Sequence, residues 1–108
     1  MVLSFADWKN VDLRVGLIEK VEEIEGKDKL YKLSLSFGEE KRVAVAGIKK
    51  YYLSEQLEGK KAIFAFNLEP AKIAGIESNA MVLAAKSSDG AYKIFFSDDS
   101  VVEGTRLE

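Results

Sequence analysis

The chain has 108 residues, 47% hydrophobic and 31% charged, the balance of an ordinary globular protein with room for one domain over residues 1–108. It contains neither cysteine nor histidine, which excludes disulfides, Cys/His zinc sites, thiolate nucleophiles and Ser-His-Asp arrangements. Sixteen basic against eighteen acidic residues give a net charge of −2, yet residues 41–61 hold six basic and only two acidic side chains, a basic stretch inside an acidic protein.

No basic segment followed by an apolar run opens the chain. No apolar run approaches the roughly 20 residues of a membrane span. A cytoplasmic location without membrane contact is the expectation.

Val11, Leu13, Val15 and Leu17 alternate with Asp12, Arg14 and Gly16, the period of a strand with one buried face, and Gly16 predicts a bulge or bend in it. Glu22 to Lys29 is polar and reads as a hairpin connection centred on Gly26. Tyr31, Leu33, Leu35 and Phe37 alternate with Lys32, Ser34 and Ser36, and Arg42 to Ala46 follows a turn at Gly38-Glu39-Glu40. Three strands joined by short turns make an antiparallel meander.

Ser54 as N-cap and Gly59 as terminator bound a short helix, after which Ala62 to Phe66 reads as a buried strand. Asn67 to Ala80 holds the only proline and has no period; it is expected to be a structured loop. Met81–Ala85 and Ala91–Phe96 form a hairpin across Ser87-Ser88-Asp89-Gly90. This order predicts an all-β fold: an OB-fold five-stranded Greek-key barrel with a short helix between strands three and four and a C-terminal extension.

No phosphate loop, dinucleotide fingerprint or metalloprotease helix is present. Acidic residues at Glu19, Glu22, Glu23 and Glu25, and at Asp98 and Asp99, raise a hard-cation or paired-carboxylate site, though solvated hairpin ends explain them without a ligand. Lys41, Arg42, Lys49, Lys50, Lys60 and Lys61 are interleaved with Tyr51 and Tyr52. That is the footprint of an electrostatic groove with stacking side chains; solubilising lysines over packed tyrosines are the competing explanation. In the loop, Lys72 supplies charge, Asn67, Ser78 and Asn79 hydrogen bonds, and Met81 an adaptable apolar surface. Asn67 and Asn79 serve equally well as turn caps.

Phe5-Ala6-Asp7-Trp8, Val11-Asp12-Leu13-Arg14-Val15-Gly16, Asp28-Lys29-Leu30-Tyr31, Ala46-Gly47-Ile48, Leu57-Glu58-Gly59-Lys60 and Asn67-Leu68-Glu69-Pro70-Ala71-Lys72-Ile73-Ala74-Gly75-Ile76-Glu77-Ser78, ending in Met81-Val82-Leu83-Ala84-Ala85, together resemble the tRNA-binding domain family. That family includes free-standing proteins and the C-terminal domains of methionyl-tRNA synthetases. The resemblance implies an OB-fold that recognises tRNA by shape, without catalysis or cofactor, through Lys29, Arg42, Asn67, Lys72, Ser78 and Met81. It also implies a homodimer joined through the C-terminal region, where Phe95 and Phe96 cannot both face one core. An aminoacyl-tRNA synthetase is the implied partner where the module does not act alone, and a chaperone-like, peptide-binding role on the same barrel is the alternative. The chain departs from the family pattern at Ala46, Ala74 and Ala80.

Overall fold

The computed structural model describes residues 1–108. It opens on an element that the sequence reading misses, a single helical turn α1 (Phe5–Trp8), capped by the Ser4 hydroxyl, which accepts from the Asp7 N–H at 3.1 Å. One turn is too short to display a period.

Strand β1 (Leu13–Ile24) turns at Glu25-Gly26 into β2 (Lys27–Ser36), followed by β3 (Lys41–Ala46). Much of the polar stretch read as a connection is therefore strand. Only the tip is turn, with Gly26 at φ 76°. The four alternating side chains Tyr31, Leu33, Leu35 and Phe37 are all buried.

Gly16 is not at a bulge. It stands in register with Ala62 of β4 (Lys61–Ala65), while the two irregularities of β1 fall between Ile18 and Lys20 and between Glu23 and Ile24. A Cβ on Gly16 would lie 2.8 Å from ring carbons of both Phe37 and Phe64. Those rings meet edge to face, with centroids 5.6 Å apart. Close packing of two aromatics over the backbone, rather than bending, is what requires glycine here.

Helix α2 (Ser54–Leu57) begins one residue earlier than expected. Its cap position is Leu53, whose N–H donates to Gln56 Oε1 at 2.7 Å, so Gln56 does the capping rather than Ser54. Leu57, fully buried, seats the helix against the core, and Gly59 ends it at φ 81°.

Residues 67–80 are more regular than expected. They contain the hairpin β5 (Ala71–Ile73) and β6 (Ile76–Ser78), turning at Ala74 (φ 51°) and Gly75 (φ 78°). Two consecutive positive φ angles match the twist of a two-residue hairpin. The C-terminal half divides differently from the expected hairpin. Met81–Val82 (β7) pairs with β4, and only Ala84–Lys86 (β8) pairs with Tyr92–Ile94 (β9).

The main sheet runs β3-β2-β1-β4-β7, antiparallel throughout. That succession places the outer strands β3 and β7 side by side and parallel. No hydrogen-bonded ladder joins them, so the OB-like barrel stays open along this seam. Its core gathers Ile18, Leu33, Leu35, Leu57 and Phe64, all essentially inaccessible. The C-terminal tail stitches the start of β1: Gly104 N–H donates to Val15 O, Val15 N–H to Thr105 O, and Leu107 N–H to Leu13 O, at 2.7–2.9 Å. No helix is long and apolar enough to cross a membrane.

Candidate nucleic-acid interface

Phe66, at the end of β4, is the centre of a polar frame. The Arg42 guanidinium lies 3.6 Å and the Arg14 guanidinium 3.9 Å from its ring centroid, and two cations that close must occupy opposite faces of the ring. Arg14 makes a bidentate pair with Asp12 at 3.0 and 2.9 Å. That hydrogen bond holds the Asp12 carboxyl below its ordinary pKa against the opposing effect of burial, and raises Arg14 correspondingly. Arg42 donates to Phe66 O, to Asn79 O (2.9 Å) and to Glu40. Three of its five N–H donors are thus used inside the protein.

Asn67 and Asn79 belong to the same frame. Asn67 Oδ1 accepts from the Asp12 N–H at 3.0 Å, and its Nδ2 donates to Asn10 O. Asn79 meets the open edge of β3 twice: its N–H donates to Val43 O at 2.9 Å and its Oδ1 accepts from the Val43 N–H at 3.1 Å. Ser78 adds a third peg. Buried to 7% exposure, it accepts from the Val45 N–H at 3.1 Å and donates to Ala80 O at 3.3 Å. Asn79 and Ser78 thus do for β3 what a neighbouring strand would do.

The remaining three sequence-predicted residues are free. Lys72 stands on the projecting β5, opposite Glu77 but without a salt bridge, and Met81 is 51% exposed at the start of β7. Lys29, exposed and unpaired, lies at the start of β2, where its carbonyl accepts from the Lys49 N–H. Four of the seven, Arg42, Ser78, Asn79 and Met81, lie on or against the open edge of β3, whereas Asn67 binds the start of β1 and Lys29 lies on β2, on the paired side of β3. Arg42, Ser78 and Asn79 build that edge, Asn67 fixes the start of β1, and Lys29, Lys72 and Met81 are exposed.

The basic stretch is largely neutralised. Lys41 pairs with Glu19, Arg42 with Glu40, Lys49 with Glu23 and Lys61 with Glu103, so four of its six cations have acidic partners. The Glu23 hydrogen bond raises the Lys49 ammonium above its ordinary pKa. The same pairs occupy Glu19 and Glu23, and Asp98 accepts from Ser100; no acidic residues converge as a metal site. Tyr52 is built into the fold, its hydroxyl accepting from the Ile94 N–H at 2.9 Å. Tyr51 is exposed and meets Tyr92 edge to face at 5.8 Å. Sequence reasoning missed Arg14, Phe66 and Tyr92, because a single aromatic in an apolar run carries no signal of what stacks on it.

Comparison with known proteins matches residues 13–106 to the family described as "Putative tRNA binding domain". The chain is 43% identical over 105 residues to a methionine–tRNA ligase of Caldanaerobacter subterraneus, covering 97% of this chain and 16% of that enzyme. It thus spans about a sixth of that relative's length. Among solved structures, a MetRS-related protein from Pyrococcus horikoshii superposes with a TM-score of 0.94 at 36% identity, over 100% of this chain and 99% of that one. The chaperone CsaA from Bacillus anthracis superposes with 0.89 at 27% identity over the full length of both. With the family match covering most of the chain and its outer strand edge framed by the motif residues, the protein belongs to the tRNA-binding domain family.

Proposed function

We propose that this chain is a non-catalytic, single-domain module that binds folded tRNA by shape, alone or as a trans-acting appendage of an aminoacyl-tRNA synthetase, methionyl-tRNA synthetase above all, in the cytoplasm. The observation that carries this reading is the projecting β5–β6 hairpin, pegged to the β3 edge by Ser78 and Asn79, which presents the unpaired Lys72 and leads into β7, where the exposed Met81 lines a groove against β3. Lys29, Lys72 and Met81 make the direct contacts in this reading. Arg42, Asn67, Ser78 and Asn79 hold the surface in shape. Binding raises the effective concentration of tRNA at a synthetase.

The test is a salt-dependent titration of folded total tRNA against single-stranded RNA of equal length. About four neutralised phosphates give a log-log slope near −3. Preference for folded tRNA, weakened by Lys72→Ala, supports the module; equal binding of both RNAs, unchanged by the substitution, rejects it.

Phe95, Phe96 and Val102 are exposed at the C-terminal end, and Phe5 and Trp8 at α1. So much exposed apolar surface favours a homodimer. Sedimentation equilibrium at micromolar concentration should give about twice the 12.0 kDa chain mass, and a monomer mass rejects the dimer. The likeness to a chaperone structure favours a second reading, a peptide-binding barrel. Competition by an unfolded polypeptide, without tRNA affinity, would bring it forward.

A further inference from the structure

The open seam has a chemistry of its own. Val45, Gly47 and Ile48 on one side and Met81, Val82 and Leu83 on the other line a groove of about 420 Å³, closed at one end by Ala84 and Tyr92. Leu83 N–H donates to Ile63 O at 2.9 Å; by the alternation of an antiparallel ladder, the Val82 backbone groups point away from β4, toward β3. Across the groove the Gly47 N–H bonds no protein group. An apolar slot therefore has unmet polar backbone groups along its walls and a tyrosine ring and a thioether at its rim. Lys86 lies directly opposite Tyr92 and Lys32 directly opposite Val45; neither makes a salt bridge, although Lys32 also stands opposite Glu22 of β1, which pairs with Lys20. Cross-strand neighbours of this kind sit about 5 Å apart at Cβ, which brings two lysines free of salt bridges beside the slot.

We infer that this seam is a nucleobase pocket: it takes an unstacked base of a bound RNA between Met81 and Tyr92, with the flanking phosphates on Lys32 and Lys86. A base has a flat apolar face and a polar edge, and both have counterparts here. The volume exceeds what a single purine ring system fills, so one base and its ribose fit. An added peptide strand fits less well, because it needs a continuous row of free edge groups. Along β3 the Val43 and Val45 N–H groups are already taken by Asn79 and Ser78.

This inference rests on the RNA-binding reading, and the experiment separates the two. Amide-resolved NMR titrations of the full chain would use tetra-adenylate, its abasic counterpart with the same phosphates, and total tRNA. Three proteins would be compared: wild type, Ala84→Phe, which fills the slot, and Tyr92→Leu, which removes the ring. Tetra-adenylate should shift the Gly47, Val82, Leu83 and Ala84 amides, and the abasic chain should bind the wild type at least about 5-fold more weakly, the low end expected for one stacked base. Each substitution should weaken both tetra-adenylate and tRNA by a similar factor.

If tRNA binds the wild type while the abasic chain binds as well as tetra-adenylate, the pocket is refuted and the tRNA reading stands. If no RNA binds the wild type, both fall. An apolar heptapeptide that shifts these amides where tetra-adenylate does not would overturn the assignment in favour of a peptide groove. The abasic comparison needs no variant, so a misfolded Ala84→Phe protein leaves the test intact.

Discussion

Arg42 separates two accounts of the interface, because a phosphate contact and a clamp respond differently to its removal. Its side chain is 18% exposed, stacks 3.6 Å from the Phe66 centroid, and donates to two main-chain carbonyls, those of Phe66 and Asn79. The Glu40 pair is exposed and adds little. Two hydrogen bonds at about 1 kcal/mol each and a cation–π contact at about 1 kcal/mol make Arg42→Ala cost about 3 kcal/mol. In a domain of this size that lowers Tm by roughly 10–20 °C. Lys72→Ala, on an exposed strand with no ionic partner, should change stability by no more than about 0.5 kcal/mol. Thermal melts and tRNA titrations of both variants form a crossover: Lys72→Ala loses affinity at unchanged Tm, whereas Arg42→Ala loses stability first. An Arg42→Ala protein with wild-type Tm and weakened tRNA binding would refute the clamp and make Arg42 a direct phosphate contact.

Three further outcomes follow from the backbone and the ionic frame. Ala74→Gly should stabilise the β5–β6 hairpin by about 0.5–1 kcal/mol, because alanine holds φ 51° there; slower amide exchange at Ile76 and Ser78 is the readout, and faster exchange contradicts the turn. Gly16→Ala should cost about 1–3 kcal/mol, since the new methyl meets Phe37 and Phe64 at 2.8 Å; an unchanged denaturant midpoint would show that the rings yield freely. Asp12 has a folded-state pKa lowered by Arg14 from an ordinary value of 3.8, so the unfolded chain takes up its proton first as pH falls. Its contribution is complete above that ordinary value and is lost as pH drops through the folded one. Wild type should therefore lose stability more steeply than Asp12→Asn below about pH 4, and parallel acid-unfolding curves would remove the ion pair from the account.

What could be read from the sequence, and what could not, divides along the range of the interactions. The alternation of Tyr31, Leu33, Leu35 and Phe37 named its own buried face. Glycines 26, 59 and 90 marked turns because their positive φ angles are local demands. Gly16 failed by the same standard: its reason is two aromatic rings that arrive from strands 21 and 48 residues away. The hairpin at 71–78 was missed because three-residue strands around an Ala-Gly turn lack both a period and a favoured turn pair. For the site, Ser78 and Asn79 stand against the open edge of β3, while Asn67 binds the start of β1 and Lys29 lies on β2. Nothing in their order could divide them into builders and contacts, because that depends on carbonyls and N–H groups donated by other segments.

This division resolves the apparent conflict between an acidic chain and a nucleic-acid ligand. The basic stretch looked like the electrostatic source, yet most of its cations are paired with glutamates, two on β1, one before β3 and one in the C-terminal tail. Such pairs hold little field for a polyanion, and a phosphate can recruit them only by displacing a carboxylate. Nine of the thirteen lysines make no salt bridge, and of these Lys29, Lys32, Lys72 and Lys86 lie on β2, β5 and β8, around β3 and its seam. On the proposed reading, a protein with net charge −2 holds RNA there because a local set of free charges beside an apolar groove acts over about a Debye length and not over the whole surface. Such an interface would select by shape: with few free cations it holds a short extended strand weakly, and gains most affinity where a folded RNA brings several phosphates and a base to that edge at once.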